Sequence, residues 1–174
     1  MFSSESWLIS YCEMQKDNVA NSYVHLHLIV FIWGFTAVLG ALISLEALPL
    51  VWYRMSFASV FIALYILSKK ISLQLPIRTI LSFVFAGLII SLHWLTFFKA
   101  IKESNISVTL ACLSTGAFFT SLLEPLFYKR KIIAYEVLFG LIVIAGLYLI
   151  FQVQGNYVYG IVLALSSAFL SALF

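Results

Sequence analysis

Residues 77–98 read IRTILSFVFAGLIISLHWLTFF, and this stretch decides the fold. After Arg78 its one ionisable side chain is His93. An apolar run of ~18 residues or more is long enough to cross a bilayer, because about 20 helical residues at ~1.5 Å each cover the ~30 Å hydrocarbon core. A surface helix of a water-soluble protein would need a polar stripe, and this run has none. Two further runs precede it, at 25–45 and 48–68, and three follow, at 106–128, 132–152 and 157–174. The chain is 63% hydrophobic and only 10% charged, with a mean hydropathy of +1.08. The expected class is an all-α membrane protein, a polytopic bundle of six transmembrane helices. Its first partner is the lipid bilayer.

Six spans in 174 residues leave little room for a soluble domain. The longest polar piece is residues 1–24, which reads as an N-terminal tail. It is no secretory signal: it opens with Glu5, has no early Lys or Arg, and its apolar patch Trp7-Leu8-Ile9 is too short. Met14 offers an alternative start. No Gly-rich phosphate loop ending in Lys-Ser/Thr occurs, so ATP-driven pumping by this chain is not expected. Cys12 and Cys112 have no paired spacing and no histidine neighbour, so neither a disulfide nor a metal site is expected. His-Glu-x-x-His, Gly-x-Ser-x-Gly and catalytic carboxylate pairs are missing. The reading is therefore not an enzyme, with no catalytic residues, metal or cofactor. Basic runs with interleaved aromatics are missing too, so nucleic acid is not an expected partner.

The net charge of +3 sits in the breaks between runs, where it encodes orientation. Lys16, Lys69, Lys70, Arg78, Lys129, Arg130 and Lys131 all fall on one side of an alternating topology, and only Lys99 and Lys102 fall on the other. The N-terminus and the basic breaks should face the cytoplasm, with Glu46 and Asn156 outside.

Ionisable groups inside apolar runs are costly, so each is a functional candidate. Arg54 lies about two turns into the second run. Its guanidinium either meets a wet cavity, a carboxylate or helix-end carbonyls, or snorkels outward past Trp52 and Tyr53. Glu124 ends a stripe on the fourth run. Ser107, Ser114 and Ser121 recur every seven residues, as do Leu110, Ala117 and Glu124. Such a stripe either lets helices approach closely, with Glu124 in an inner-side ion pair with a loop lysine, or lines a polar path ending at Glu124. His93 is either a titrating group or a hydrogen-bonded packing residue, and nothing near it in sequence pairs with it. Lys99 shares a face with Glu103. Glu136, one turn into the fifth run, reads as a snorkelling acid at a helix N-terminus. Trp33-Gly34 sets a large ring beside a site of close backbone approach.

Several of these features occur together in one known family. They are Trp33-Gly34, Pro49 through Arg54, Phe98-Lys99-Ala100, the small-residue fourth run, and Gly140-Leu-Ile-Val-Ile-Ala-Gly146. In this order and spacing the chain resembles the N-terminal half of an EamA-type transporter of the drug/metabolite transporter superfamily. Residues 25–152 would be one five-helix EamA repeat, and 153–174 a loop plus the first helix of an incomplete second repeat. Two departures stand out. Ser114-Thr115-Gly116-Ala117-Phe118 replaces a frequent Pro-Leu-Phe. Tyr128-Lys129-Arg130 stands where Gly-Glu-Arg is frequent, so no role is carried over to that junction.

The resemblance implies secondary transport of small organic solutes across the cytoplasmic (inner) membrane by alternating access. Candidate substrate-binding or cavity-lining residues are Trp33, Arg54, His93, Lys99, Ser114 and Glu124. The solute itself is unspecified. The sixth run has no basic stop, so the chain is expected to be cut short and to need either a missing C-terminal repeat or a homodimer partner. A half-sized subunit active only as a dimer and a non-transporting membrane scaffold are the alternatives.

Overall fold

The computed structural model describes residues 4–71, 74–153 and 157–174, with side chains described for 19, 21–71, 74–149 and 157–174. The described chain is helical, with helices α1 (Ser4–Leu42), α2 (Ala47–Lys69), α3 (Ile77–Glu103), α4 (Ile106–Leu113), α5 (Gly116–Tyr128), α6 (Ala134–Val153) and α7 (Val158–Leu173). Among the described residues, four segments are long and apolar enough to cross a membrane: Asn21–Leu42, Ala47–Lys69, Ile77–Glu103 and Ile106–Tyr128. Ala134–Leu149 and Val158–Leu173 are shorter apolar helices. This is an all-α membrane bundle.

Its exterior is apolar. Phe57, Phe61, Phe83 and Phe85 are each more than 60% exposed. A contiguous apolar surface on that scale is incompatible with water, whereas hydrocarbon solvates it at no cost.

Helix boundaries follow local chemistry. Pro76 precedes α3 and cannot donate a backbone bond, which suits a helix start. Asn105 caps α4, its Oδ1 accepting from the Val108 N–H at 2.8 Å. α2 ends at Lys70, whose φ of 51° is left-handed. The Lys70 and Ile71 N–H groups bond back to the Leu67 and Ile66 carbonyls, closing the last turn. Lys129, which follows α5, is left-handed too, with φ 52°. Both positions would suit glycine sterically, yet each holds a lysine of the basic breaks.

The fourth run is broken rather than continuous. α4 stops at Leu113 and α5 starts at Gly116. Between them Thr115 N–H bonds the Cys112 carbonyl at 3.1 Å, a tight three-residue turn. The hydroxyls of Ser114 and Thr115 donate to the Ala111 and Cys112 carbonyls at 2.6 and 2.7 Å. The Ser-Thr-Gly sequence supplies both the freedom to bend and the donors that satisfy the disturbed carbonyls.

By contact the molecule forms two units, Met1–Leu39 and Gly40–Phe174. The first is α1 alone, a 39-residue helix that continues to Leu42. At ~1.5 Å per residue it is roughly 58 Å long, well beyond one membrane crossing. It is helical from Ser4, upstream of the apolar run, and its Phe31 and Phe35 rings meet edge to face at 5.2 Å. In the second unit α7 packs along α3 and against α4 and α5, while α2 lies on α3 and α6 on α5. α7 buries Gly160, Ala164, Ser167 and Ala168, one helical face of small residues. Ala164 joins Ala100, Val108 and Cys112 in the core. A Cβ at Gly160 would stand 2.6 Å from the Ser104 Cβ, so the α3 and α7 backbones meet there only because residue 160 is glycine.

Candidate functional site

Arg54 is half-buried on α2, and its guanidinium carbon stands 3.8 Å from the centroid of the Trp94 ring on α3. The Phe98 ring is the next layer, at 5.7 Å. Trp94 and Phe98 stack on each other, 5.7 Å apart and tilted by 23°. The charge therefore rests on an aromatic face, a partner the sequence reading did not name. A partly desolvated cation on Trp gains about 2 kcal/mol, which offsets some of the cost of its depth. The guanidinium edge and its N–H donors have no carboxylate within ion-pair distance among the described residues.

His93, one residue before Trp94, is 6% exposed. Its Nδ1–H donates to the Ser167 carbonyl on α7 at 2.9 Å. The Ser167 hydroxyl lies 3.0 Å from the same nitrogen and donates to the His93 carbonyl at 3.2 Å. This reciprocal pair pins α3 to α7 and assigns the proton to Nδ1, which leaves Nε2 as an acceptor. Trp94, Phe97 and Phe174 surround the imidazole. Of the two readings of His93, hydrogen-bonded packing describes what the structure holds.

A second polar region lies between α5 and α6. A cavity of about 450 Å³ is lined by Ser114, Ser121, Glu124, Glu136 and Gly140, among others. The seven-residue stripe supplies one wall, so Ser114 and Glu124 do come together. Pro125 lies inside α5 and lacks the N–H that would bond the Ser121 carbonyl. Glu124 is ion-paired with Arg130 of the following connection, an arginine in the place of the expected loop lysine. Glu136, read from sequence as a snorkelling acid, faces the same cavity.

A family model, EamA-like transporter family, matches residues 22–152. The chain belongs to the EamA-like transporter family. No curated protein and no solved structure matches it. The family's members are membrane transporters, and this chain is an integral membrane protein of that kind.

The EamA match runs from the start of the first span to the end of α6 and leaves α7 outside it. α7 nevertheless packs into the middle of the unit that α2–α6 build. The six candidate residues fall in several places. Arg54 and His93 gather around Trp94, while Ser114 and Glu124 share the α5–α6 cavity. Lys99 reaches instead toward Tyr159 of α7, its Nζ 5.5 Å from the ring centroid. Trp33 lies in the Met1–Leu39 unit and is exposed. Sequence reasoning passed over Trp94 as the partner of Arg54 and Ser167 as the partner of His93. A signal existed for the first: Trp94 sits four residues before Phe98, so two rings share a helical face. Nothing local marked Ser167, which is 74 positions from His93.

Proposed function

We propose that this EamA family member carries small organic solutes across the cytoplasmic membrane by alternating access, with Arg54 receiving an anionic group of the solute. The N-terminus faces the cytoplasm, as the Lys/Arg asymmetry implies. The observation that carries the reading is the Arg54 guanidinium held over Trp94 with no carboxylate partner among the described residues. A permanent charge kept at that depth is suited to a passing carboxylate or phosphate. The His93 imidazole lies edge to face against the same Trp94 ring, with centroids 5.1 Å apart. No covalent chemistry is required of the protein.

The test is uptake into liposomes containing the purified protein, using radiolabelled glutamate, succinate, phenylalanine and uridine as probes. Arg54→Lys keeps the charge but loses the two-pronged fork, so anion flux should fall at least ~10-fold, the equivalent of ~1.4 kcal/mol of differential binding. A snorkelling Arg54 would tolerate lysine. Equal flux in parent and variant, or preferred carriage of uncharged uridine, would remove Arg54 from the site.

A further inference from the structure

The two ends of the Gly40–Phe174 unit differ in construction. At the end where α3 stops, three contacts draw separate elements together. Lys102 Nζ donates to the Ile43 carbonyl in the α1–α2 connection. Lys99 reaches across to the Tyr159 ring of α7. Ser104 seats against Gly160, where a Cβ would stand 2.9 Å from its Oγ. At the end where α5 stops, a cavity of about 450 Å³ opens between α5 and α6, with Thr120, Glu124 and Glu136 in its wall.

Lys99 and Lys102 are also the two cations that run against the orientation count. Positive charge is disfavoured on that side, so their presence calls for a local reason. Each bridges α3 to a different element. Ile43 lies just past the end of α1, where helix carbonyls lack intrahelical donors, and an ammonium is a strong donor to such an acceptor. Both straps are single side-chain contacts at a partly exposed end, and both can be released without unfolding a helix.

We propose that the α3 end of the bundle is a closed gate, strapped by Lys102 and Lys99 and seated on the Ser104–Gly160 contact, while the α5 end is the open mouth. The inference rests on the alternating-access reading. Opening the gate frees Lys102 from Ile43 and Lys99 from Tyr159, and lets Ser104 part from Gly160. The compact His93–Ser167 pin, deeper along the same two helices, is the point about which the ends would part.

The experiment is thiol accessibility in sealed cells and in inverted vesicles, with Cys12→Ser and Cys112→Ala as background. Thr109→Cys reports the closed end: Thr109 is 0% exposed and its hydroxyl lies 3.3 Å from that of Ser104. Thr120→Cys reports the open mouth. A charged, impermeant methanethiosulfonate should modify Thr120→Cys quickly and Thr109→Cys slowly. Adding Lys102→Met should speed Thr109→Cys about tenfold, the shift expected from losing one charge-assisted hydrogen bond, and slow Thr120→Cys. Lys102→Arg should restore the parent rates. Gly160→Ala should speed Thr109→Cys by itself, and adding Ser104→Gly should reverse that. Unchanged Thr109→Cys rates in both Lys102→Met and Gly160→Ala would overturn the gate. So would a rise at both reporters together, which signals general loosening. Flux is a separate readout. A reciprocal accessibility change without flux of any probe would count against solute transport and leave the gate standing.

Discussion

The α3–α7 seam and the α5–α6 groove are both helix pairs built from apolar runs, yet they pack differently. Along the seam, α7 presents Gly160, Ala164, Ser167 and Ala168, and α3 presents His93, Phe97, Ala100 and Ile101, all buried. Small residues let the backbones approach, and the His93–Ser167 pair adds directional bonds. In the groove Phe118 lies against Gly140, where a Cβ would be 2.7 Å from the Phe118 Cβ. A large ring set against a glycine makes one tight contact and leaves the polar cavity beside it. Lipid gives two helices no hydrophobic reason to associate, so close packing and hydrogen bonds decide which pair is firm. The seam has both along its length. The groove has close packing at one point, and its polar groups face open space.

Overpacking the seam is the strongest way to break this contrast. Ala164 is fully buried, and Ala164→Leu should cost up to ~3 kcal/mol, as expected for methylenes forced into a filled core. Unfolding in detergent, followed by tryptophan fluorescence, measures it. Removing the pin comes next. His93→Ala removes the Nδ1–H donor to the buried Ser167 carbonyl and opens a void, for a loss of ~2 kcal/mol by the same measurement. In the groove Gly140→Ala should cost about 1 kcal/mol, because Phe118 must shift yet open space lies beside it. A loss equal to that of Ala164→Leu would mean the two interfaces do not differ. The smallest effect should come from Glu124→Gln. Its pair with Arg130 is exposed, at 34% and 53% for the two side chains. Such pairs contribute under ~1 kcal/mol, so stability should hardly change. A large loss would show that Glu124 is structural rather than cavity-lining.

The stripe on the fourth run shows how far residue spacing reaches. The seven-residue recurrence placed Ser114, Ala117, Ser121 and Glu124 on one helical face, and all four line the α5–α6 cavity. The break at Ser114-Thr115 was written in the same residues and was passed over, because hydropathy there is continuous. Glu136 stands in the first turn of α6, as read from sequence, and also lines the cavity. A single acid near a helix start looks the same in sequence whether it faces headgroups or a neighbouring helix.

The sequence by itself determined that this is a helical membrane protein, roughly where each span runs, and its resemblance to EamA transporters. Those depend on the length and composition of contiguous runs, which are local properties set against a fixed ~30 Å hydrocarbon thickness. Tertiary structure alone decided that Arg54 rests on Trp94, that His93 pairs with Ser167, and that α7 fills the middle of the unit. Each depends on which face of one helix meets which face of another. With hydrocarbon solvating every apolar face equally, only shape and hydrogen-bond complementarity between distant segments select the pairing.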